Sequence, residues 1–484
     1  MEREFSALLE ECRRGGIEVR VDSRQVSTGD IFVAVPGVNE DGARFIPAAV
    51  AAGASIVVCR PGGAEEAAAL AGGCRVVHHS DPREALWRLA EARWRTSELP
   101  LKIVGVTGTN GKTTCSYLLE QLFAQAGHKL GVMGTVSYRW PGHNEAAPLT
   151  TPDALSVHAM LAEMSKAGVD VAVMEVSSHA IDQQRVCGVP FSGAAFTNLT
   201  QDHLDYHKNM ESYFQVKARL FLELPRPDKA MAVNADDPWG RRLLELCPTA
   251  LSFGLQKGAL NKRHLWGELL SAGTEGCHMR MHLEGSKWEL RSPLVGAFNA
   301  SNLLAVQAVA LEMGIEPDAF KSLESFTGVC GRLERVDNPQ GLNVFVDYAH
   351  TPDALENVLQ ALRGAGFKRV VTVFGCGGNR DRTKRPLMGE AVARWSDVAV
   401  LTSDNPRFEE PEAILQDVLP GLKTAREVVV EVDRREATIK ALKMLGKDDA
   451  LLIAGKGHED YQIIQGVKHH YSDQEVVREF LHCA

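Results

Sequence analysis

Apolar positions along the chain fall into two rhythms. Short, nearly unbroken runs rich in Val, Ile and Ala lie at Ile31–Val35, Ser55–Cys59, Leu101–Thr107, Val169–Val176 and Gly193–Leu199. Each is too short for a stable helix and is bounded by turn residues, so each is predicted as a buried strand. Between them the spacing changes to that of helices, as in Arg83–Trp94 and in the face Leu118, Leu119, Leu122, Phe123. A later helix is predicted over Asn302–Met313, stopping at Gly314. Strands with apolar character on both sides predict a parallel sheet covered on both faces. Residues 255–295 break this rhythm with short alternating segments, which predicts a small antiparallel insertion. Beyond Gly331 five more runs recur, Asn343–Tyr348, Arg369–Gly375, Asp397–Thr402, Val428–Val432 and Ala450–Gly455, each predicted to lead into a helix. That is the grammar of a Rossmann-like doubly wound unit. With Thr96–Pro100 read as a linker, the chain is an α/β protein of three domains, 1–98, 99–330 and 331–484. The first is mixed α/β, the second a P-loop-type parallel sheet with the antiparallel insertion, and the third doubly wound.

Composition narrows the classes. A length of 484 residues fits three domains of roughly 150 residues. Lys and Arg number 53 against 62 Asp and Glu, a net charge of −9, which argues against a broad nucleic-acid surface. The ten cysteines form no C-x-x-C pair, which excludes a zinc ribbon or a thioredoxin-type centre and suggests a reducing compartment. The N-terminus shows no signal peptide, and no apolar run approaches the roughly 20 residues of a membrane helix. A cytoplasmic protein without membrane insertion is expected, acting as a monomer.

The strongest chemical signal is Gly108-Thr109-Asn110-Gly111-Lys112-Thr113-Thr114, between a predicted strand and a predicted helix. Glycines there let backbone N–H groups approach phosphate oxygens, Lys112 can reach the β/γ-phosphates, and Thr113 can offer a hydroxyl to Mg²⁺. The strict motif wants glycine where Val106 stands, so the loop is a variant; a ligand-free glycine turn is the alternative. Glu175 ends a buried strand, the usual place of a Mg²⁺-facing carboxylate. His203 and His207 have the i, i+4 spacing of a metal face, but Leu204 stands where a zincin needs Glu, and either histidine taken alone is more often a structural residue than a ligand.

Together with Glu175-Val176-Ser177-Ser178-His179, Asn198-Leu199-Thr200 and Asp202-His203-Leu204-Asp205, the loop resembles the ATP-dependent Mur ligases, which add amino acids to peptidoglycan precursors. Asp22-Ser23-Arg24 with Gly29–Ala34 is similar to their UDP-binding N-terminal domain, and Asp347-Tyr348-Ala349-His350-Thr351-Pro352 to the opening of their C-terminal domain. The resemblance implies that Lys112 and Thr113 hold ATP phosphates and Mg²⁺, with Glu175 and His203 as further metal ligands. It places Asn299 and Asn302 near the adenine, and Arg332, Asp347 and His350 on the nucleotide from the C-terminal domain. Lys217 falls where the family carries a carbamylated lysine, an anion able to help place Mg²⁺; outside that context it reads as an ordinary helix lysine. Ser23 matches a UDP contact, and Thr150, Thr151, Ser177, Gln183 and Arg185 match contacts to a UDP-muramoyl dipeptide. Arg185 suits a carboxylate or phosphate through bidentate bonding.

The added amino acid is implied by Asp404-Asn405-Pro406-Arg407, which in the resemblance marks members that add meso-diaminopimelate. That compound differs from lysine by a second carboxylate, which an arginine can clamp; lysine would leave the arginine unpaired. Arg380 matches a second arginine of the pocket, and Gly455 and Glu459 would face the far ammonium and carboxylate. Asn379 departs from the Asp of many relatives. The implied reaction joins meso-diaminopimelate to UDP-N-acetylmuramoyl-L-Ala-D-Glu through an acyl phosphate made from ATP. Alternatives are a lysine-adding or other Mur ligase, a folylpolyglutamate synthase-like ligase, or a nucleotide-dependent switch without ligase activity.

Overall fold

Alternation inside short strands sets the first layer. Val19–Arg20, Ile31–Val33, Ile56–Cys59 and Arg75–His78 pair in that order, all parallel. Ile31, Val33, Ile56 and Val58 turn to one face, where the helices Glu2–Arg14 and Pro82–Trp94 bring Phe5, Leu8, Leu86 and Leu89. Phe32, Val57 and Cys59 turn to the other and meet Ile46 and Ala49. Because a strand's period is two, both faces must be apolar when both are covered, which is why these segments read as unbroken runs.

The computed structural model describes residues 2–37, 40–62, 69, 72–258, 263–274 and 276–483, the side chains of 225–228 and 483 excepted. These form two compact units, one of residues 1–107, 127–194 and 216–230, the other of 108–126, 195–215 and 231–484.

Besides the four-stranded layer, the first unit holds a second sheet in the order Phe191–Phe196, Lys102–Thr107, Val171–Glu175, Leu130–Met133, Ser137–Trp140, His143–Ala146. The pairs around Val171–Glu175 are parallel and the last two strands are antiparallel. The segment expected to be a linker is instead a 3-10 turn, Thr96–Glu98, with Thr96 fully buried. The Thr96 hydroxyl lies 2.6 Å from Nδ1 of the buried His158, whose Nε2 lies 3.1 Å from the Cys187 carbonyl. A carbonyl only accepts, so Nε2 carries a proton, and with burial keeping the ring neutral near pH 7, Nδ1 accepts from the Thr96 hydroxyl. Burial lowers the His158 pKa to about 4, only partly opposed by the Cys187 bond and the Glu91 charge. A folded pKa below the unfolded one means that acid favours unfolding. Stability should therefore fall between pH 6.5 and pH 4 with a contribution approaching about 1.4 kcal/mol per pH unit. Denaturant titrations should show that component vanish in His158→Gln.

In the second unit, the helix Lys112–Gln125 follows the glycine loop directly, and Ala297–Glu312 packs beside it. The latter begins five residues before the predicted start, since Gly296 with φ +95° sets its entry. A parallel run of Pro225–Asn234, Leu251–Gly254 and His264–Gly273 continues antiparallel through Gly276–Leu283 and Ser286–Ser292. The expected antiparallel segment is thus an extension of a sheet rather than a separate piece. The remaining sheet has the order Glu334–Arg335, Asn343–Asp347, Asp449–Ala454, Arg369–Phe374, Val398–Leu401, Val428–Val430, antiparallel only at its first pair. Helices cover both faces, giving two separate cores around Leu359, Phe374 and Val392 and around Val346, Val400 and Val477. The strand Asp449–Ala454 leads first into a hairpin, Tyr461–Ile464 with Val467–His470, and only then into the helix Asp473–Cys483.

Candidate active site

The strand Lys102–Thr107 delivers the chain to the phosphate-type loop. Val106, the departure from the strict motif, is a fully buried ladder residue paired with Glu175, so the loop opens two residues later at Gly108. A side chain at Gly108, whose φ is +153°, would collide with the Thr197 hydroxyl, and one at Gly111, whose φ is +87°, with the amide oxygen of Asn302. Both positions therefore need glycine. Thr109 N donates to the Asn198 carbonyl at 2.9 Å and Asn110 N to Asn198 Oδ1 at 2.9 Å. Thr197 Oγ1 donates to the Asn110 carbonyl at 2.6 Å, and Thr200 N to Thr109 Oγ1 at 3.0 Å. Thr197, Asn198 and Thr200 thus brace the loop at the N-terminus of a helix, where first-turn N–H groups and the dipole favour phosphate. Lys112 Nζ reaches back to the Gly108 and Thr109 carbonyls, 2.9 Å each. Thr113 and Thr114 are buried in the first helical turn.

Sequence reading missed the residue that ties the loop to the doubly wound part. Asp353 Oδ2 accepts from Asn110 Nδ2 at 2.8 Å and from Thr200 Oγ1 at 3.0 Å, across a separation of 243 residues in the first case. Arg332 meets the loop from the same part. Arg332 Nη2 donates to Thr113 Oγ1 at 3.0 Å, and its guanidinium stacks 4.7 Å from the Tyr348 ring centroid. Its buried Nε has no hydrogen-bond partner, a donor suited to an anion beside the loop. Asp347 accepts from the backbone N–H groups of Leu333 and Ala349, 2.6 Å each. Asn302 donates to Asn299 Oδ1 at 3.2 Å, and Asn299 to the Val295 carbonyl at 2.9 Å, so the two predicted adenine-side residues form one pair.

His203 and His207 do not share a helical face. His203 sits before the four-residue helix Leu204–His207 with φ +54°, while His207 is buried and stacks on Tyr213 at 4.9 Å. His203 Nε2 lies 3.3 Å from Asp202 Oδ2, and Lys384 Nζ lies 3.7 Å from Asp202 Oδ1. Burial pushes the Asp202 carboxyl up, but the charges of His203, His350 and Lys384 outweigh it and hold it at about 2. Burial and Lys384 together depress His350.

A second constellation lies in the first unit. Glu175 is fully buried; Thr135 donates to it twice, N to Oε1 at 3.0 Å and Oγ1 to Oε2 at 2.7 Å. The Thr135 hydroxyl is 3.2 Å from that of Thr150. Thr151 Oγ1 donates to the Glu175 carbonyl at 2.7 Å and accepts from Ser177 N at 3.0 Å. Arg185 Nη1 donates to the Thr151 carbonyl at 3.1 Å, and its Nη2 to Gln183 Oε1 at 2.7 Å. Five residues expected around a muramoyl dipeptide are thus connected to Glu175, with Thr135 the member that spacing did not reveal. Lys217 is 1% exposed and donates to Thr107 Oγ1 at 3.4 Å. Ser23 opens a 3-10 turn capped by Asp22, whose carboxyl Arg24 holds at about 2 through direct hydrogen bonds.

Among the described residues, no three His, Cys, Asp or Glu side chains gather as a metal-holding group. Mg²⁺ needs no such cage, because it keeps waters and phosphate oxygens as ligands and takes one or two protein oxygens. In the second unit the Thr113 hydroxyl is a donor of that kind; in the first, the Glu175 carboxylate is another, as a carbamate on Lys217 would be. The ring nitrogen of His203 is the outlier of the expected set.

The third constellation follows the strand Val398–Leu401. Arg407, with φ +56°, is pinned by the hairpin: its N donates to the Ile463 carbonyl at 2.9 Å, and Gln465 N to its carbonyl at 2.6 Å. Its Nη1 donates to the Gly378 carbonyl at 2.8 Å. Arg407 Nη1 and the Arg380 side chain both border Gly377, and burial together with the Arg380 charge depresses the Arg407 pKa. Asn405 Nδ2 donates to Glu459 Oε2 at 2.9 Å, and a side chain at Gly455 would strike the Asp404 carboxylate. Pro406 is buried behind them, its carbonyl against Gly378. Asn379 has φ +52°, a left-handed conformation that Asn tolerates well, which accounts for the departure there.

The chain is similar to known proteins along its length. The family model described as Mur ligase middle domain matches residues 106–310, the Mur ligase glutamate ligase domain 331–457, and the Mur ligase family catalytic domain 18–94. A UDP-N-acetylmuramoyl-L-alanyl-D-glutamate–2,6-diaminopimelate ligase of Lawsonia intracellularis is 53% identical over 480 residues, 99% of each chain. One of the same name from Gloeobacter violaceus is 46% identical over 95% of this chain and 92% of its own. A solved structure of a ligase with that name superposes with a TM-score of 0.66 at 33% identity, covering 96% of this chain and 94% of the other. The MurF ligase from Thermotoga maritima in complex with ADP, 18% identical with a TM-score of 0.64 over 98% and 97% of the two chains, shares the fold. With three domain models matched in order and near-full-length identity this high, the chain belongs to the Mur ligase family.

Proposed function

We propose that the chain is an ADP-forming ligase that joins meso-2,6-diaminopimelate to the D-glutamyl γ-carboxylate of UDP-N-acetylmuramoyl-L-Ala-D-Glu, a step of peptidoglycan precursor synthesis. The observation that carries this reading is that Arg407 Nη1 and the Arg380 side chain border the same glycine, Gly377, as does the carbonyl of Asn405, whose amide donates to Glu459. A diamino diacid offers a carboxylate to the guanidinium pair and an ammonium to Glu459. Lysine would leave the guanidinium groups unanswered in a half-buried place, which disfavours the lysine-adding alternative. The names of the near-full-length relatives support the same substrate.

The residues divide the work. Loop N–H groups and Lys112 would bind and orient the ATP phosphates, with Arg332 adding charge beside Thr113. Asn299 and Asn302 would border the adenine, and Asp347 and His350 the remainder of the nucleoside. Ser23 would hold the UDP moiety; Thr150, Thr151, Ser177, Gln183 and Arg185 the muramoyl dipeptide. Its γ-carboxylate attacks the γ-phosphorus, ADP leaves, and the amine then attacks the acyl phosphate to give the amide and phosphate. Mg²⁺, held by Thr113, Glu175, His203 and a Lys217 carbamate, would offset phosphate charge. The domains are assigned as 1–98 for UDP-sugar, 99–330 for ATP and 331–484 for the amino acid. No helix among the described residues is long and apolar enough to cross a membrane, and a cytoplasmic monomer is the form proposed.

The test is ADP release with UDP-N-acetylmuramoyl-L-Ala-D-Glu and ATP supplied and the amine varied. Turnover should require meso-diaminopimelate. Equal turnover with L-lysine would overturn the specificity, and turnover without any amine would favour a nucleotide-dependent switch.

A further inference from the structure

Behind the amino-acid pocket lies a buried cation to which the reading above gives no role. Lys456, in the turn after the strand Asp449–Ala454, is 0% exposed. Its Nζ donates to Asn405 Oδ1 at 3.1 Å and to the Tyr461 carbonyl at 2.6 Å, and lies 3.6 Å from Glu459 Oε2. A buried ammonium is costly unless its donors and its charge are both answered, and here Asn405, the Tyr461 carbonyl and Glu459 answer them.

The consequence falls on Asn405. A side-chain amide has two orientations that differ by exchange of its oxygen and nitrogen. Asn405 Oδ1 accepts from Lys456 Nζ and from Ile463 N at 2.9 Å, while Nδ2 donates to Glu459 Oε2. Reversal would set NH₂ against the ammonium and the Ile463 N–H, and oxygen against the carboxylate. The cation therefore selects one orientation, and through Nδ2 it aims the Glu459 carboxylate. The same charge reaches Asp404. Burial works against ionisation of that carboxyl, but Lys456, followed by Arg434, holds it ionised. Arg434 is itself spent on Asp473, at 2.8 and 3.0 Å, and on the Ala454 carbonyl.

We propose that Lys456 is a positioning residue for amino-acid selection, fixing the Asn405 amide and the Glu459 carboxylate in the arrangement that receives the ammonium of the incoming diamino acid. This rests on the diaminopimelate reading. It assigns to Lys456 no contact with the ligand; its effect passes through Asn405 and Glu459.

The test measures steady-state KM for each of the three substrates with Lys456→Met. Loss of a charge-assisted orienting bond should raise KM for meso-diaminopimelate about 30-fold and leave the KM values for ATP and the UDP-muramoyl dipeptide within about twofold. In an Asn405→Ala background the same change should cost less than about threefold, because the group it orients is gone. A diaminopimelate KM unchanged in a folded K456M protein, a parallel rise for all three substrates, or effects that multiply fully in the double variant would each overturn the proposal. If K456M does not fold, Lys456→Arg retains the cation but displaces its donors, and a rise of about fivefold or more confined to diaminopimelate is then expected. No rise, or a rise for all substrates, overturns it there. Wild-type protein that ignores diaminopimelate would overturn the functional reading as well, whereas wild-type use of it with an indifferent Lys456 defeats this inference alone.

Discussion

Replacing Lys112 with methionine should lower amide-forming turnover about 10³-fold while the protein stays folded. The ammonium has two hydrogen bonds to loop carbonyls, at Gly108 and Thr109. Each is worth about 1 kcal/mol net, so their loss erodes stability modestly. The chemical loss is larger because charge builds on the transferring phosphoryl group, and a fixed cation there acts in a site of lowered dielectric. Methionine keeps the length and packing of the stem, so the change isolates the charge. Thermal unfolding and single-turnover ADP formation on the same samples separate the two effects. Turnover within tenfold of wild type would remove Lys112 from the reaction.

That residue was legible because the constraint on it is local. Glycine spacing, a preceding β-branched strand and a following helix all lie within about twenty residues of chain, and the structure explains even the departure at Val106, a ladder residue rather than a loop residue. Asn405 and Arg407 were legible for the same reason. What escaped depends on groups brought together from afar. Asp353 meets the loop across 243 residues, Thr135 meets Glu175 across 40, and Lys456 meets Asn405 across 51. None of the three carries a local signature, since an exposed acid, threonine or lysine is the ordinary expectation at such places. Thr96 was misread for a related reason: polar and next to a proline-containing stretch, it looked like a linker. Its hydroxyl is instead one of the two partners that let His158 be buried neutral. The early start of Ala297–Glu312 was hidden by the polar residues of its first turns. Asn299, Ser301 and Asn302 break the apolar period because their side chains serve the loop and its neighbours.

Arg407→Ala should cut kcat/KM for meso-diaminopimelate about 10²-fold while leaving that for ATP near its wild-type value. The guanidinium is half-buried, is steered by one bond to the Gly378 carbonyl, and faces the like charge of Arg380. A ligand carboxylate relieves that repulsion and gains charge-assisted bonds, so the substrate's second carboxylate and the arginine are each other's best partners. Lysine gains neither. On the proposed reading it would leave two cations poorly answered in the wild type, and that penalty would supply the discrimination. The alanine variant removes the penalty along with the attraction. Its preference for diaminopimelate over L-lysine should therefore collapse from both directions, with diaminopimelate use falling and lysine use holding or rising slightly. Competition assays with both amines present read this ratio directly. A variant that loses activity with both amines in equal proportion would place Arg407 in the scaffold of the hairpin, which its backbone bonds to Ile463 and Gln465 also serve, and not in the choice of substrate.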